Sequence, residues 1–183
     1  MQERLYFFAV VPPEPLYSEV RAMKEEIRDL FGCSWALRSP AHITLYMPFR
    51  MKESEETQLV ASIRRFAAPF GRFHLHIDGF DCFRPRVLFL HVAPSGALQH
   101  LQASLCAYLK EAHGIHDRRM ERPFHPHMTL AHRDVSPAQF EEMWAYYKDK
   151  PFAAGFEVKG FYLLKHEHKR WKEHVFFPFG GKN

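Results

Sequence analysis

The chain has 183 residues, 46% of them hydrophobic and 15% aromatic, enough for one compact domain of two lobes or two very small domains. A formal charge of +4 and a pI near 9.0 suit a polyanionic partner without demanding one. Cys33, Cys82 and Cys106 are odd in number and show no CxxC spacing, which argues against a disulfide framework or a zinc site and for thiols of a reducing compartment.

In chain order, "LYFFAVV" (Leu5 to Val11), closed by Pro12 and Pro13, predicts a buried strand. Glu3 and Arg4 precede it, and seven apolar residues are too few for a signal peptide or a membrane span; the expectation is a soluble, cytoplasmic protein. Leu16, Val20, Met23, Ile27 and Leu30 then mark a helix stopped by Gly32. "HITLYMPF" follows as a strand, and a helix from near Ser54 buries Leu59, Ile63 and Phe66. "RFHLHIDGFDCF" alternates Phe73, Leu75 and Ile77 as a half-buried strand does.

The second half repeats the plan. A strand from Val87 closes at Pro94, Ser95 caps a helix carrying Leu98, Leu101, Leu105 and Tyr108, and Gly114 ends it. A charged loop leads to a further strand, and "SPAQF" opens a helix with Ser136 as cap, Pro137 in the first turn and Gln139 at the capping-box position. The tail predicts strands in a hairpin. Pro12 and Pro94 are offset by 82 residues and the "GF" pairs at Gly79 and Gly160 by 81. One order of elements at nearly one offset argues for an internal duplication, approximately 1–83 and 84–183, within a single bilobal domain spanning 1–183.

The chemistry lies in "SPAHITLYMPF" and "FHPHMTLAHRD", which place His-x-Thr-Leu at His42 and again at His127, 85 residues on. Residues two apart on a strand share a face, so His42 projects with Thr44, and His127 with Thr129. Ile43, Leu45, Met128 and Leu130 then take the apolar side. A lone His-x-Thr is ordinarily a satisfied histidine; its repetition at matching positions of a duplicated chain is far more specific. Two opposed imidazoles can give and take protons near pH 7, and threonine hydroxyls can hold non-bridging phosphate oxygens. Phosphodiester cleavage needs that arrangement, and it calls for no metal and no cofactor.

The paired motifs, the "HPHMTL" form of the second and the closing aromatic hairpin resemble the two-histidine phosphoesterase superfamily, which includes the 2′-5′ RNA ligase and RNA 2′,3′-cyclic phosphodiesterase families. The resemblance covers essentially the whole chain. It implies an α+β fold of two antiparallel sheets with outer helices around a central groove, the two termini sharing a lobe. It also implies that His42 and His127 are the acid–base pair and that Thr44 and Thr129 bind phosphate. Several members carry an arginine directly after "TLx", whereas here His132 intervenes before Arg133. A one-residue slip on a strand changes face, so Arg133 serves as a phosphate ligand only where the strand has ended or bulged.

Around these, Tyr46 shares parity with His42 and Thr44 and is a candidate for stacking on a base or ribose, against an equal case for packing. His125 precedes Pro126 and is placed near the mouth of the groove. His166, His168 and His174 could hold a metal but read as the solvated side of a hairpin. Arg118, Arg119 and Arg122 could meet an RNA backbone, with Asp117 and Glu121 partly cancelling them. The leading reading is a metal-independent phosphoesterase, expected to be monomeric and free of membrane. Its substrate would be a 2′,3′-cyclic or 2′-5′ phosphodiester at an RNA terminus or in a small nucleotide. An RNA- or nucleotide-binding module with little turnover, and a histidine-rich metal hydrolase, are the rivals.

Overall fold

The computed structural model describes residues 2–181. Four helices and eight strands follow one another in them: β1 (Glu3–Val10), α1 (Leu16–Phe31), β2 (Ile43–Lys52), α2 (Glu56–Ala67), β3 (Phe73–Phe83), β4 (Val87–Val92), α3 (Gly96–His113), β5 (His127–Ala131), α4 (Pro137–Tyr147), β6 (Ala153–Val158), β7 (Gly160–Glu167) and β8 (Arg170–Pro178). Local chemistry sets the helix ends. Gly32, at φ 74°, closes α1 by donating its N–H to the Arg28 carbonyl, a left-handed position that glycine takes without a Cβ clash. The Ser95 side chain accepts from the Leu98 N–H at the start of α3, and Ser136 and Gln139 complete the capping box of α4. Helix α2 starts at Glu56, after a single 3-10 turn over Glu53–Glu55.

The strands form one antiparallel sheet in the order β6-β3-β4-β5-β2-β1-β7-β8. The two antiparallel sheets expected from the resemblance are its halves, joined between β2 and β5 by one registered pair, Ile43 with Met128. Each half has the same plan, β5-β4-β3-β6 on one side and β2-β1-β7-β8 on the other. β3, at the end of the first β-α-β-α-β run, therefore lies beside β4, while β7 returns to lie beside β1. The N-terminal strand thus shares a half with the C-terminal hairpin, and the halves of the sheet are not the halves of the sequence.

The crossing from β6 to β7 takes one residue, Lys159. A Cβ on Gly160 would stand 2.2 Å from the Phe177 carbonyl oxygen and 2.8 Å from the Phe176 ring; only glycine fits that approach. All four helices pack on one face of the sheet, where Leu16, Val20 and Ile27 of α1, Leu59 and Ile63 of α2, Leu98, Leu101 and Leu105 of α3, and Phe140 and Met143 of α4 join a single core with Phe8, Ile43, Leu45 and Met128. A second, small cluster of Phe7, Ala9 and Leu164, with Val11, Tyr162 and Trp171 against it, contains no helical residue. It marks the opposite face of the sheet.

Candidate active site

The two motifs meet at the seam. Ile43 and Met128 are both fully buried in the main core and are paired antiparallel. Extending that register by one residue sets His42 alongside Thr129 and Thr44 alongside His127. Paired residues of an antiparallel sheet share a face, so the four polar side chains lie together on the face away from the helices. Sequence reasoning expected the histidines to oppose each other across a groove between two sheets. Instead they stand side by side on neighbouring strands of one sheet, because the seam itself is a strand pair.

Each imidazole is held in the same way. His42 Nδ1 is 2.8 Å from the Pro40 carbonyl oxygen, and His127 Nδ1 is 2.7 Å from the carbonyl oxygen of His125. A carbonyl only accepts, so both Nδ1 atoms carry the proton and both Nε2 atoms keep a lone pair in the neutral ring. Among the described residues neither Nε2 has a hydrogen-bond partner, nor do the hydroxyls of Thr44 and Thr129. Each ring also leans on a phenylalanine of the neighbouring strand. Phe7 of β1 lies 5.0 Å from His42 and Phe89 of β4 lies 5.0 Å from His127, centroid to centroid. Phe83 adds an edge contact to His127 at 5.1 Å.

This packing sets the protonation. Burial, reinforced by the Lys24 charge, pushes His42 down to about 3 against the opposing hydrogen bond to Pro40, and the charges of His127 and His132 push the same way. Burial also lowers His127, and its bond to the His125 carbonyl works against that. With no ligand bound both rings are neutral near pH 7. A phosphate brought between them would favour the imidazolium.

Both motif strands carry a β-bulge, at the leucine of each motif. On β2, Thr44 pairs with Ala9 and Tyr46 with Phe8, leaving Leu45 as the extra residue. On β5, Thr129 pairs with Phe89 and Ala131 with Leu88, leaving Leu130 extra. A bulge sets two residues against one and resets the alternation, so Leu45 and Tyr46 are both buried, as are Leu130 and Ala131. The parity that aimed Tyr46 at a substrate therefore fails. Its side chain is 1% exposed, its hydroxyl donates to the Ile115 carbonyl at 3.3 Å, and burial pushes it up to about 12.

The second strand ends at Ala131, so Arg133 lies beyond it. Its backbone is left-handed at φ 67°, and its guanidinium stands 5.3 Å over the Trp35 ring, a ring that also carries Arg38 at 3.8 Å. Asp134 fixes this corner by accepting the N–H groups of Ser34 and Trp35 at 2.7 and 2.8 Å. His125 is exposed while His127 is half-buried, and its ring meets Phe83 edge-on at 5.0 Å. The three tail histidines diverge: His166 packs on Trp171, His174 bonds Glu56, and His168 occupies the hairpin turn at φ 50°. Arg119 is engaged by Asp117, and His116 pairs with Glu121.

Sequence reasoning missed several neighbours of the motifs. His91 lies directly opposite His127 on β4. His132, lowered to about 4 chiefly by burial, has a buried Nδ1 without a partner among the described residues, as has His91. Lys24 is the most legible omission. It stands between Val20 and Ile27 on the apolar stripe of α1, is 3% exposed, and donates to the carbonyls of Ser39 and Pro40 at 3.1 and 3.2 Å. Leu30, expected on that stripe, is 55% exposed. A lysine in an apolar stripe was the available signal.

A family model described as the 2′-5′ RNA ligase superfamily matches residues 12–170. A protein of Geobacillus kaustophilus that bears the name "Putative phosphoesterase" is 26% identical over 180 residues, covering 97% of this chain and 97% of its own length. One of the same name from Oceanobacillus iheyensis is 23% identical, covering 96% and 98%. Among solved structures, TT0787 of Thermus thermophilus shares the fold with a TM-score of 0.73 at 24% identity, over 98% of this chain and 100% of that one. Escherichia coli LigT complexed with 3′-AMP gives 0.67 at 21% identity, over 98% and 100%.

Proposed function

Because the chain belongs to the 2′-5′ RNA ligase superfamily, we propose that it is a phosphoesterase that opens 2′,3′-cyclic, or cleaves 2′-5′, phosphodiesters of RNA ends or small nucleotides without a metal. The observation that carries the reading is the seam: two His-x-Thr motifs side by side, each imidazole clamped through Nδ1 with Nε2 open. His42, the more firmly neutral of the two, takes a proton from water through Nε2. The resulting hydroxide attacks phosphorus, the bond to one ribose oxygen breaks, and His127 as imidazolium protonates that oxygen. A phosphomonoester and a free hydroxyl result. Thr44 and Thr129 hold the non-bridging oxygens and keep attacking and leaving oxygens in line, and the charge that builds on them is met by imidazolium and hydroxyl donors. The 3′-AMP in the LigT complex is a ribonucleotide phosphomonoester, the product class that this reaction yields, and so supports the reading.

The same reading takes the chain as a single bilobal domain built by duplication of approximately 1–83 and 84–183, monomeric in solution, with β3 of the first copy lying in the half of β4 and β5, and β7 and β8 of the second in the half of β1 and β2. The buried Tyr46 has no part in the proposed chemistry, while the end of β5 at Ala131 meets the condition on which Arg133 is a phosphate ligand. The test is turnover of a panel of nucleoside 2′,3′-cyclic phosphates, cyclic-ended RNAs and ADP-ribose cyclic phosphate. His42→Ala and His127→Ala should each lower turnover by about 10²–10⁴ while staying folded, with EDTA leaving the wild type unchanged. A folded single variant with near-full activity would remove that histidine from the mechanism. Nucleotide binding without turnover would favour a binding module.

A further inference from the structure

Beside the first motif, but not lined by His42 itself, lies a cavity of about 260 Å³ between α1, the segment leading into β2 and the tip of the β7–β8 hairpin. Its charged lining is Arg21, Lys24, Arg38, Arg170 and Lys172 against one carboxylate, Glu173. Arg21 and Lys172 have acidic partners elsewhere, Glu25 at 3.1 Å and Glu167 at 3.6 Å; among the described residues Lys24, Arg38 and Arg170 have none. Lys24 is the informative member. An ammonium has three N–H groups, and two are accepted by the Ser39 and Pro40 carbonyls. The third has no partner among the described residues, although the side chain is 3% exposed. A buried cation without a counter-ion is costly, and an anion in the cavity would offset that cost.

The cavity is also coupled to the reaction centre. The Pro40 carbonyl that receives Lys24 is the one that receives His42 Nδ1, so the buried ammonium is one carbonyl away from that imidazole. On the other wall Trp171 lies 4.7 Å from Phe7, the ring on which His42 rests. At the second motif, among the described residues, the His125 carbonyl receives His127 alone.

We propose that this cavity is a second phosphate subsite, which takes a phosphate group that the substrate carries beyond the one on which the histidines act. The inference rests on the phosphoesterase reading and narrows its substrate class to molecules with at least two phosphates. The second group is either the next phosphodiester of an RNA strand or a terminal 5′-phosphate. Burial, with the Arg21 charge beside it, lowers Lys24 to about 7 in the empty cavity, and an anion there would restore its full charge.

The experiment compares kcat/KM for three substrates: a nucleoside 2′,3′-cyclic phosphate with a 5′-hydroxyl, the same compound with a 5′-phosphate, and an oligoribonucleotide ending in a 2′,3′-cyclic phosphate. The wild type should favour substrates with a second phosphate by at least about tenfold, the size of one charge-assisted hydrogen bond. The double variant Arg170→Glu, Lys172→Glu, on the exposed hairpin tip, should lose that preference. Removing each cation should also flatten the salt dependence for the oligoribonucleotide by about 0.7 in log–log slope. Preference for both phosphorylated substrates identifies any second phosphate as the ligand, and preference for the oligoribonucleotide alone identifies the strand. Equal ratios in wild type and variant overturn the subsite and leave the phosphoesterase reading standing. If the wild type turns over none of the three, that reading fails. The subsite is then judged by fluorescence anisotropy with a labelled 3′-phosphorylated oligoribonucleotide: a tenfold loss of affinity in the variant upholds it, and equal affinity overturns it. Lys24→Met, checked by thermal melting, should show the same loss of preference if it folds.

Discussion

An imidazole serves proton transfer when one nitrogen is fixed and the other is free. Both motif histidines meet that condition through a carbonyl two residues earlier in the chain, a contact that a short extended segment makes with itself. Their environment then decides how they titrate. Because kcat/KM reports the free enzyme, and because burial holds His42 at about 3 and keeps His127 below its ordinary value, kcat/KM should be highest on the acid side of about pH 6.5. It should fall as pH rises and the acid form of His127 is lost. The kcat profile should extend to higher pH, since bound phosphate stabilises the imidazolium. Both apparent values belong to the coupled pair. A kcat/KM profile centred above about pH 7.5 would contradict this account.

Among the elements, the seam between β2 and β5 has the greatest consequence. It has one registered pair, Ile43 with Met128, so the spacing of the two histidines depends on how those side chains pack into the core beneath them. Met128→Ala should cost about 2–5 kcal/mol, as large-to-small changes at fully buried sites do. It should also lower kcat more than a change of equal cost remote from the seam, such as Ile63→Ala in α2, which packs on the edge strand β8. Equal loss of activity at matched stability would show that the pair is ordinary core. The passage between halves gives a second case. At Gly160 an added methyl meets the Phe177 carbonyl oxygen, and backbone cannot give way as a flexible side chain can. Gly160→Ala should therefore destabilise the fold by at least the about 1–3 kcal/mol of an overpacked core, read from chemical denaturation.

For the molecule as a whole, acid is the informative perturbation. Glu56, at the start of α2, accepts from the Tyr6 hydroxyl of β1 at 2.6 Å and from Lys165 of β7 at 2.9 Å, and it also bonds His174 of β8. One carboxylate thereby ties a helix to three strands of one half. Burial alone would raise it, but the hydrogen bonds from His174, Tyr6 and Lys165 prevail and bring it down to about 2. A carboxyl depressed in the folded state stabilises above its unfolded value, about 4.3, and that contribution is lost as pH falls from there towards 2. His42 and His132, also depressed, lose their share earlier, as pH falls below about 6.5. The melting temperature should therefore decline in two stages. Glu56→Gln should remove most of the second stage. At neutral pH it should cost less than the about 3–5 kcal/mol of a fully broken buried pair, because Glu53 still holds Lys165 at 2.7 Å. An unchanged decline below pH 4 in that variant would place the acid sensitivity elsewhere.

The order of helices and strands, their glycine and serine ends, and the two motifs were legible in the amino acids alone. Each of these rests on periodicity or on contacts within a few residues, as in Gly32, Ser95 and the Ser136–Gln139 box. Family likeness added the sharing of a half by both termini. That the motif strands are neighbours in one sheet emerges with folding, since pairing partners distant in the chain leave no local mark. The fate of Tyr46 is also set by folding. Side-chain alternation predicts a face only while the register is unbroken, and the bulges at Leu45 and Leu130 break it at the same point in both motifs. Lys24 belongs to both accounts: its place on the apolar stripe of α1 was written in the sequence. That its ammonium shares a carbonyl with His42 follows only from folding the helix onto the segment that precedes β2.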